Sequence, residues 1–118
     1  MSTPGNTDAL LTRLSLTEKT LSLKQSTAWL STGKAAATLL KNAELRLVLI
    51  ALAPGKKLQE HHADGAVTIL AREGELRVTA AGDTHTLRPG DLLALTREVP
   101  HEVEAVAESL LLVTIVGS

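Results

Sequence analysis

The chain has 118 residues, 44% of them apolar and 21% charged, and a formal net charge of −1. This length allows one compact domain, and the composition argues against wholesale disorder. Cysteine is absent, which excludes disulfides and thiolate metal sites. Phe and Tyr are also absent and no dense basic stripe occurs, which argues against nucleic-acid binding through aromatic stacking or phosphate contacts.

Residues 1–33 are predicted to form an N-terminal tail and a short extension. Residues 1–8 are polar and typical of a flexible tail. A short helix is predicted from Asp8, as its cap, through Leu14, because three leucines of this stretch share one helical face. The secondary structure of residues 15–33 is ambiguous from the sequence, and this segment ends at Gly33.

The start of the chain lacks a basic region followed by a sustained apolar run, as a secretion signal would have. No window approaches the ~20 apolar residues needed to cross a bilayer. We therefore expect a cytoplasmic protein with neither a membrane nor a nucleic acid as its partner.

Residues 34–118 show short apolar runs separated by turn residues at intervals of roughly 8 to 12 positions. This rhythm is typical of a β-sandwich or barrel rather than of βαβ units, so an all-β domain is predicted. The predicted strands are Ala35–Leu40, Leu45–Leu52, Val67–Arg72, Glu75–Ala80, Thr84–Leu87, Asp91–Leu95, Glu102–Val106 and Leu110–Val116.

The predicted strands differ in how many of their faces are apolar. Glu75–Ala80 and Glu102–Val106 alternate between apolar and polar residues, which predicts one solvated face. Leu45–Leu52 and Leu110–Val116 are apolar on both faces, so each must be covered twice, centrally in a sandwich or against another subunit. A homodimer is therefore expected.

Two stretches resemble the sequence motifs of the cupin superfamily. Residues 54–76 resemble the first motif, with Ala63 standing where that motif has its second histidine and Val67 or Thr68 where it has its glutamate. The positions that keep the first motif are Gly55, His61 and Gly74. Residues 87–105 resemble the second motif. Its positions here are Pro89, Gly90 and Asp91, followed about ten residues on by Pro100 and His101.

The resemblance covers roughly residues 45–116. It implies a cupin jelly-roll barrel of the RmlC-like type, also called a double-stranded β-helix, with an interior pocket. Proteins of this family are commonly dimers. Members of this family usually hold a divalent metal inside the barrel through three histidines and a glutamate. A divalent metal (Fe, Mn, Ni or Zn) is therefore an expected cofactor, although only two of the four motif positions are kept here.

The candidate metal ligands are Glu60, His61, His62 and His101. Strand parity places His101 on the inward face. Neighbouring residues of a strand point to opposite faces, so one of His61 and His62 is expected in the pocket. The motif frame selects His61. Alternation from Leu58 selects Glu60 and His62 instead, which with His101 would make a two-His, one-carboxylate set suited to non-haem iron.

Three functions are open at this point, and the sequence does not decide whether the protein is an enzyme. The first is a cupin whose interior pocket binds a small molecule without turnover. The second is a divalent-metal-dependent enzyme of the dioxygenase or isomerase type. The third is a structural dimer whose barrel is packed solid. His101 could also be held by a backbone carbonyl without any metal, and His85 is expected on the surface.

Overall fold

The computed structural model describes residues 5–6, 9–61, 65–96 and 99–117, and at residues 5, 6, 60 and 61 the backbone alone. Two helices and ten strands occur in these residues. The elements are β1 (Gly5–Asn6), α1 (Leu16–Lys24), α2 (Thr27–Thr32), β2 (Lys34–Lys41), β3 (Leu45–Leu52), β4 (Lys57–His61), β5 (Ala66–Glu73), β6 (Leu76–Ala80), β7 (Asp83–Leu87), β8 (Leu92–Leu95), β9 (His101–Ala105) and β10 (Ser109–Val116).

Helix α1 begins later in the chain than predicted. Residues 9–15 are not helical, and Asp8 lies outside the described residues. The helix begins after Ser15, whose hydroxyl accepts a hydrogen bond from the Glu18 backbone N–H at 3.2 Å. This is the Ser-x-x-Glu spacing of a capping box, a start signal that outweighs the spacing of the leucines. Neither helix of the described chain is long and apolar enough to span a membrane.

The strands form two sheets, and the all-β jelly roll is confirmed. One sheet has the order β1-β2-β3-β10-β5-β8 and the other β4-β9-β6-β7. All eight predicted strands are present, with each end within one residue of its predicted position. Strands β1 and β4 were not predicted. In β4 only Leu58 is apolar, so no alternation marks it, and it is defined by pairing with β9.

Two hydrophobic cores lie on opposite faces of the six-stranded sheet. The larger core fills the space between the sheets and includes Leu52, Leu76, Val103 and Leu111. The second lies beneath the helices and joins Leu23 of α1 to residues on the other faces of β3 and β10. The outer apolar faces of these two strands are therefore covered at least in part by helices of the same chain. The doubly apolar strands alone thus give less reason to expect a second subunit.

Candidate ligand cavity in the barrel

A cavity of about 190 Å³ lies between the two sheets. Seven of its described lining residues are aliphatic: Val48, Ile50, Leu58, Ile69, Val103, Val113 and Ile115. The two polar lining residues are Arg46 and His101. The strands supply this lining through their inward faces, because every second side chain of a strand points to the same side of the sheet. An apolar wall with few polar groups is the usual composition of a small-molecule site.

His101 begins strand β9 and is buried, with 3% of its surface exposed. It lies on the inward face with Val103 and Ala105, as strand parity predicts. Its Nδ1 lies 3.1 Å from the carbonyl oxygen of Val99. A carbonyl only accepts hydrogen bonds, so Nδ1 carries the proton, and in the neutral ring Nε2 then has the lone pair. This backbone contact fixes the ring, and it suits either a metal ligand or a histidine that binds no metal.

Arg46 is the residue of the cavity that the sequence analysis missed. It shares the inward face of β3 with Val48 and Ile50. Its Nε atom is buried and has no hydrogen-bond partner within the described part of the chain. Burying a polar group without a partner costs on the order of 1–3 kcal/mol, and more for a charged group. One signal in the sequence could have found it, since Arg46 is the single charged residue of an otherwise apolar strand.

The other candidate ligands are only partly described. Glu60 and His61 have described backbones but no described side chains, and His62 lies outside the described residues. The backbone of His61 pairs opposite that of His101, and the register between β4 and β9 shifts between Leu58 and His61. Alternation counted from Leu58, which selected Glu60 and His62, crosses this irregularity. Which of the two histidines lines the pocket remains a prediction.

A second, more open cavity of about 520 Å³ adjoins the first at the edge of the six-stranded sheet. The two cavities share Ile50 and Leu58 as lining residues. Lys34 and Lys56 line the outer cavity, and its described lining includes no acidic residue. The interior cavity is therefore bordered on this side by an apolar cleft with a positively charged rim.

The family model of the cupin domain matches residues 48–116, which is more than half of the chain. The chain belongs to the cupin family. This match begins inside β3 and ends with β10, so it includes both motifs and all the aliphatic lining of the cavity. No curated protein matches.

Solved structures similar to this cupin show the same fold. A conserved protein of unknown function from Streptococcus pyogenes is 18% identical, with a TM-score of 0.72 over 100% of this chain and 96% of that one. An RmlC-like cupin from Shewanella frigidimarina is 24% identical, with a TM-score of 0.68 over 73% and 78% of the two chains. A salicylate 1,2-dioxygenase mutant from Pseudoaminobacter salicylatoxidans is 18% identical, with a TM-score of 0.73 over 86% of this chain and 34% of that one.

Cupins often bind metals, but the described residues of this cupin do not by themselves fit a divalent cation. A catalytic site keeps about three protein ligands, and no group of three His, Cys, Asp or Glu occurs among the described residues. His101 supplies one ligand with a suitable backbone contact. Arg46 lines the same cavity and adds a positive charge, which repels a cation in a low-dielectric interior. The described residues therefore support no reaction step through a metal.

The remaining residues of interest lie away from the cavity. His85 is exposed on β7, as predicted. The Pro-Gly-Asp stretch of the second motif forms a turn, in which Asp91 accepts a hydrogen bond from the Arg88 N–H at 2.8 Å. Gly90 in this turn has a φ of 94°, which favours glycine. The turn therefore shapes the entry of the chain into β8, and neither this turn nor His85 lines the cavity.

Proposed function

We propose that this cupin binds a small molecule in its barrel cavity, without turnover. The observation that carries the proposal is the 190 Å³ cavity, with an aliphatic wall and two polar groups on it. An apolar cavity of about 150 Å³ is enough for one benzene molecule, whereas drug-sized ligands occupy about 300–1,000 Å³. The ligand is thus a compact molecule of about one ring, unless it also extends into the outer cleft.

The same observation weighs against a barrel that is packed solid. A well-packed interior has few voids larger than a water molecule. A cavity lined by a buried arginine nitrogen without a partner is not what a purely structural core requires, because burying such a group is unfavourable. Ligand binding therefore accounts for this interior better than a structural role does.

Filling the cavity tests the proposal. Val113→Phe places a ring in the cavity, whereas Val116→Phe makes the same change at an exposed position of the same strand. The probe is benzamide, a neutral molecule of one ring, and the readout is the thermal midpoint. A ligand at 100 times its Kd stabilises the native state by about 2.7 kcal/mol. We expect benzamide to raise the midpoint of wild type and Val116→Phe but not of Val113→Phe. Equal shifts in all three proteins would place binding elsewhere, and no shift in wild type with benzamide or with its carboxylate analogue, benzoate, would refute the proposal.

A divalent-metal-dependent enzyme, of the dioxygenase or isomerase type, is the second candidate. The observation in its favour is the register that sets the backbone of His61 opposite that of His101, with His101 Nδ1 held by Val99. Elemental analysis of protein grown with iron, manganese, nickel and zinc tests it, beside His101→Ala and the exposed control His85→Ala. Near-stoichiometric metal in wild type and His85→Ala that is lost in His101→Ala would support the enzyme. Metal-free wild type would leave the binding function.

We also propose that the barrel domain spans residues 34–118, with residues 1–33 as an extension, and that it forms a homodimer. The helices of the extension contact β2 and β3, so the extension contributes to the second core rather than standing apart from the barrel. The dimer is supported by the family resemblance. The exposed Leu92 on strand β8 is a further apolar side chain left at a sheet edge.

A further inference from the structure

We propose that the ligand of the barrel cavity is a small monocarboxylate with an apolar body of about one ring, and that Arg46 receives its carboxylate. This inference rests on the proposed binding function and adds to it the chemical class of the ligand. Its starting point is the pairing, in one cavity, of a cationic side chain with a wall of seven aliphatic residues.

Arg46 carries the inference because its Nε is buried without a partner in the described chain. A guanidinium stays charged in proteins, so the cavity contains a permanent positive charge. A buried donor is normally satisfied, and each exception calls for a ligand, an ion or water to explain it. The guanidinium presents its N–H groups in a planar fork that matches the two oxygens of a carboxylate. A carboxylate therefore supplies both the missing acceptor and the missing negative charge.

The remainder of the wall restricts the rest of the ligand. The seven aliphatic side chains offer no hydrogen bonds, so the part of the ligand that contacts them must be apolar. His101 is the second polar group, and its Nδ1 is already committed to the Val99 carbonyl. A sugar, with a hydroxyl on nearly every carbon, would bury several of them without partners. A phosphate, with up to two charges and more acceptor oxygens, would need more donors than this wall provides.

The charge of the outer cleft also favours an anionic ligand. Lys34 and Lys56 line this cleft, and the cleft and the interior cavity share Ile50 and Leu58 as lining residues. The Lys34 ammonium donates to the Lys57 carbonyl oxygen at 2.6 Å, which holds this charge at the rim. Positive groups around a cleft attract anions and raise their rate of association. On this side of the cavity, therefore, the electrostatic potential favours an anion.

Binding of four probes tests the inference: benzoate, neutral benzamide, cationic benzylamine and inorganic phosphate. The measurement is isothermal titration calorimetry at fixed pH and ionic strength. Removing one partner of a buried charge pair typically costs at least about 2 kcal/mol, or roughly 30-fold in affinity. We expect wild type to bind benzoate at least about 30-fold more tightly than benzamide, and to bind neither benzylamine nor phosphate.

Arg46→Met removes the charge and keeps an unbranched apolar side chain. We expect this variant to lose benzoate affinity by about 30-fold or more, to keep its benzamide affinity, and to unfold at the same or a higher temperature than wild type, because a buried nitrogen without a partner is removed. Arg77→Met is the matched control, since Arg77 is exposed on β6, and it should bind benzoate as wild type does. A large loss of stability in Arg46→Met would show that the arginine is structural and overturn the inference.

The failures of the two proposals are distinguishable in wild type alone. Benzamide binding equal to or tighter than benzoate binding would overturn the carboxylate inference and leave the binding function standing. Benzoate affinity unchanged in a folded Arg46→Met variant would do the same. Phosphate binding as tight as that of benzoate would show a general anion site and overturn the monocarboxylate assignment. No binding of either ring-sized probe would refute the binding function itself.

Discussion

Gly74→Ala should strongly destabilise the barrel, because two features of this position exclude a side chain. Gly74 follows β5 in the turn to β6, with a φ of 81°, a region that side chains disfavour. An added Cβ would lie 2.2 Å from the Glu108 carbonyl oxygen, 2.4 Å from Ser109 Oγ and 2.8 Å from Ser109 Cα. Two of these three atoms are backbone, so the clash cannot be relieved by rotating a side chain.

The one side-chain atom of the three, Ser109 Oγ, is also fixed in place. Ser109 is buried, and its Oγ accepts a hydrogen bond from the Glu75 N–H at 3.1 Å and lies 2.8 Å from the Ala107 carbonyl oxygen. Rotating this hydroxyl away would leave buried groups unpaired. Left-handed backbone costs an alanine about 1–2 kcal/mol, and overpacking typically costs a further ~1–3 kcal/mol. We therefore expect Gly74→Ala to lower the free energy of unfolding by about 2–5 kcal/mol.

Gly82→Ala is the matched control. Gly82 has nearly the same φ, 82°, but an added Cβ there would meet no atom within 4 Å. This variant should lose only the backbone part, about 1–2 kcal/mol. Urea denaturation followed by far-ultraviolet circular dichroism measures both losses, and unchanged slopes would show that the transitions are comparable. Equal losses in the two variants would refute the steric reasoning, and a loss below 1 kcal/mol in Gly74→Ala would refute the turn geometry as well.

Three further predictions test the strand assignments and the assembly. Ala81, beside Gly82 in the β6–β7 hairpin, has a φ of 52°, a left-handed conformation that asparagine adopts more readily than alanine. Ala81→Asn should therefore raise the free energy of unfolding, measured by urea denaturation, by up to about 1 kcal/mol. A loss of stability would contradict the turn assignment. Leu49→Asp, at a fully buried position, should abolish the cooperative thermal transition, whereas Leu30→Asp, at a position 73% exposed, should leave it within a few degrees. Sedimentation velocity should give twice the mass of one chain, and Leu92→Glu, which places a charge on the exposed edge strand β8, should reduce it to the mass of one chain. An unchanged mass in Leu92→Glu would exclude β8 as the interface.

The barrel could be predicted from the sequence largely because its strands depend on local patterns. In β6 the alternation of apolar and polar residues matches the burial of alternate side chains, so the same pattern predicted both the strand and its inward face. The same parity predicted that His101 is buried. Strand β4 has no such pattern, since its pairing with β9 defines it. The cover over β3 also could not be predicted, because an apolar face does not specify whether a helix or a second subunit lies against it.

By itself, the sequence determined the fold class, most of the strand boundaries and the inward position of His101, since these depend on period, on turn residues and on two recognisable motifs. The tertiary structure alone decided that a cavity exists and that Arg46 lines it with His101. Arg46 and His101 are 55 positions apart in the chain. Their meeting depends on how two sheets face each other, and an unsatisfied guanidinium nitrogen becomes visible only when all of its neighbours are in place.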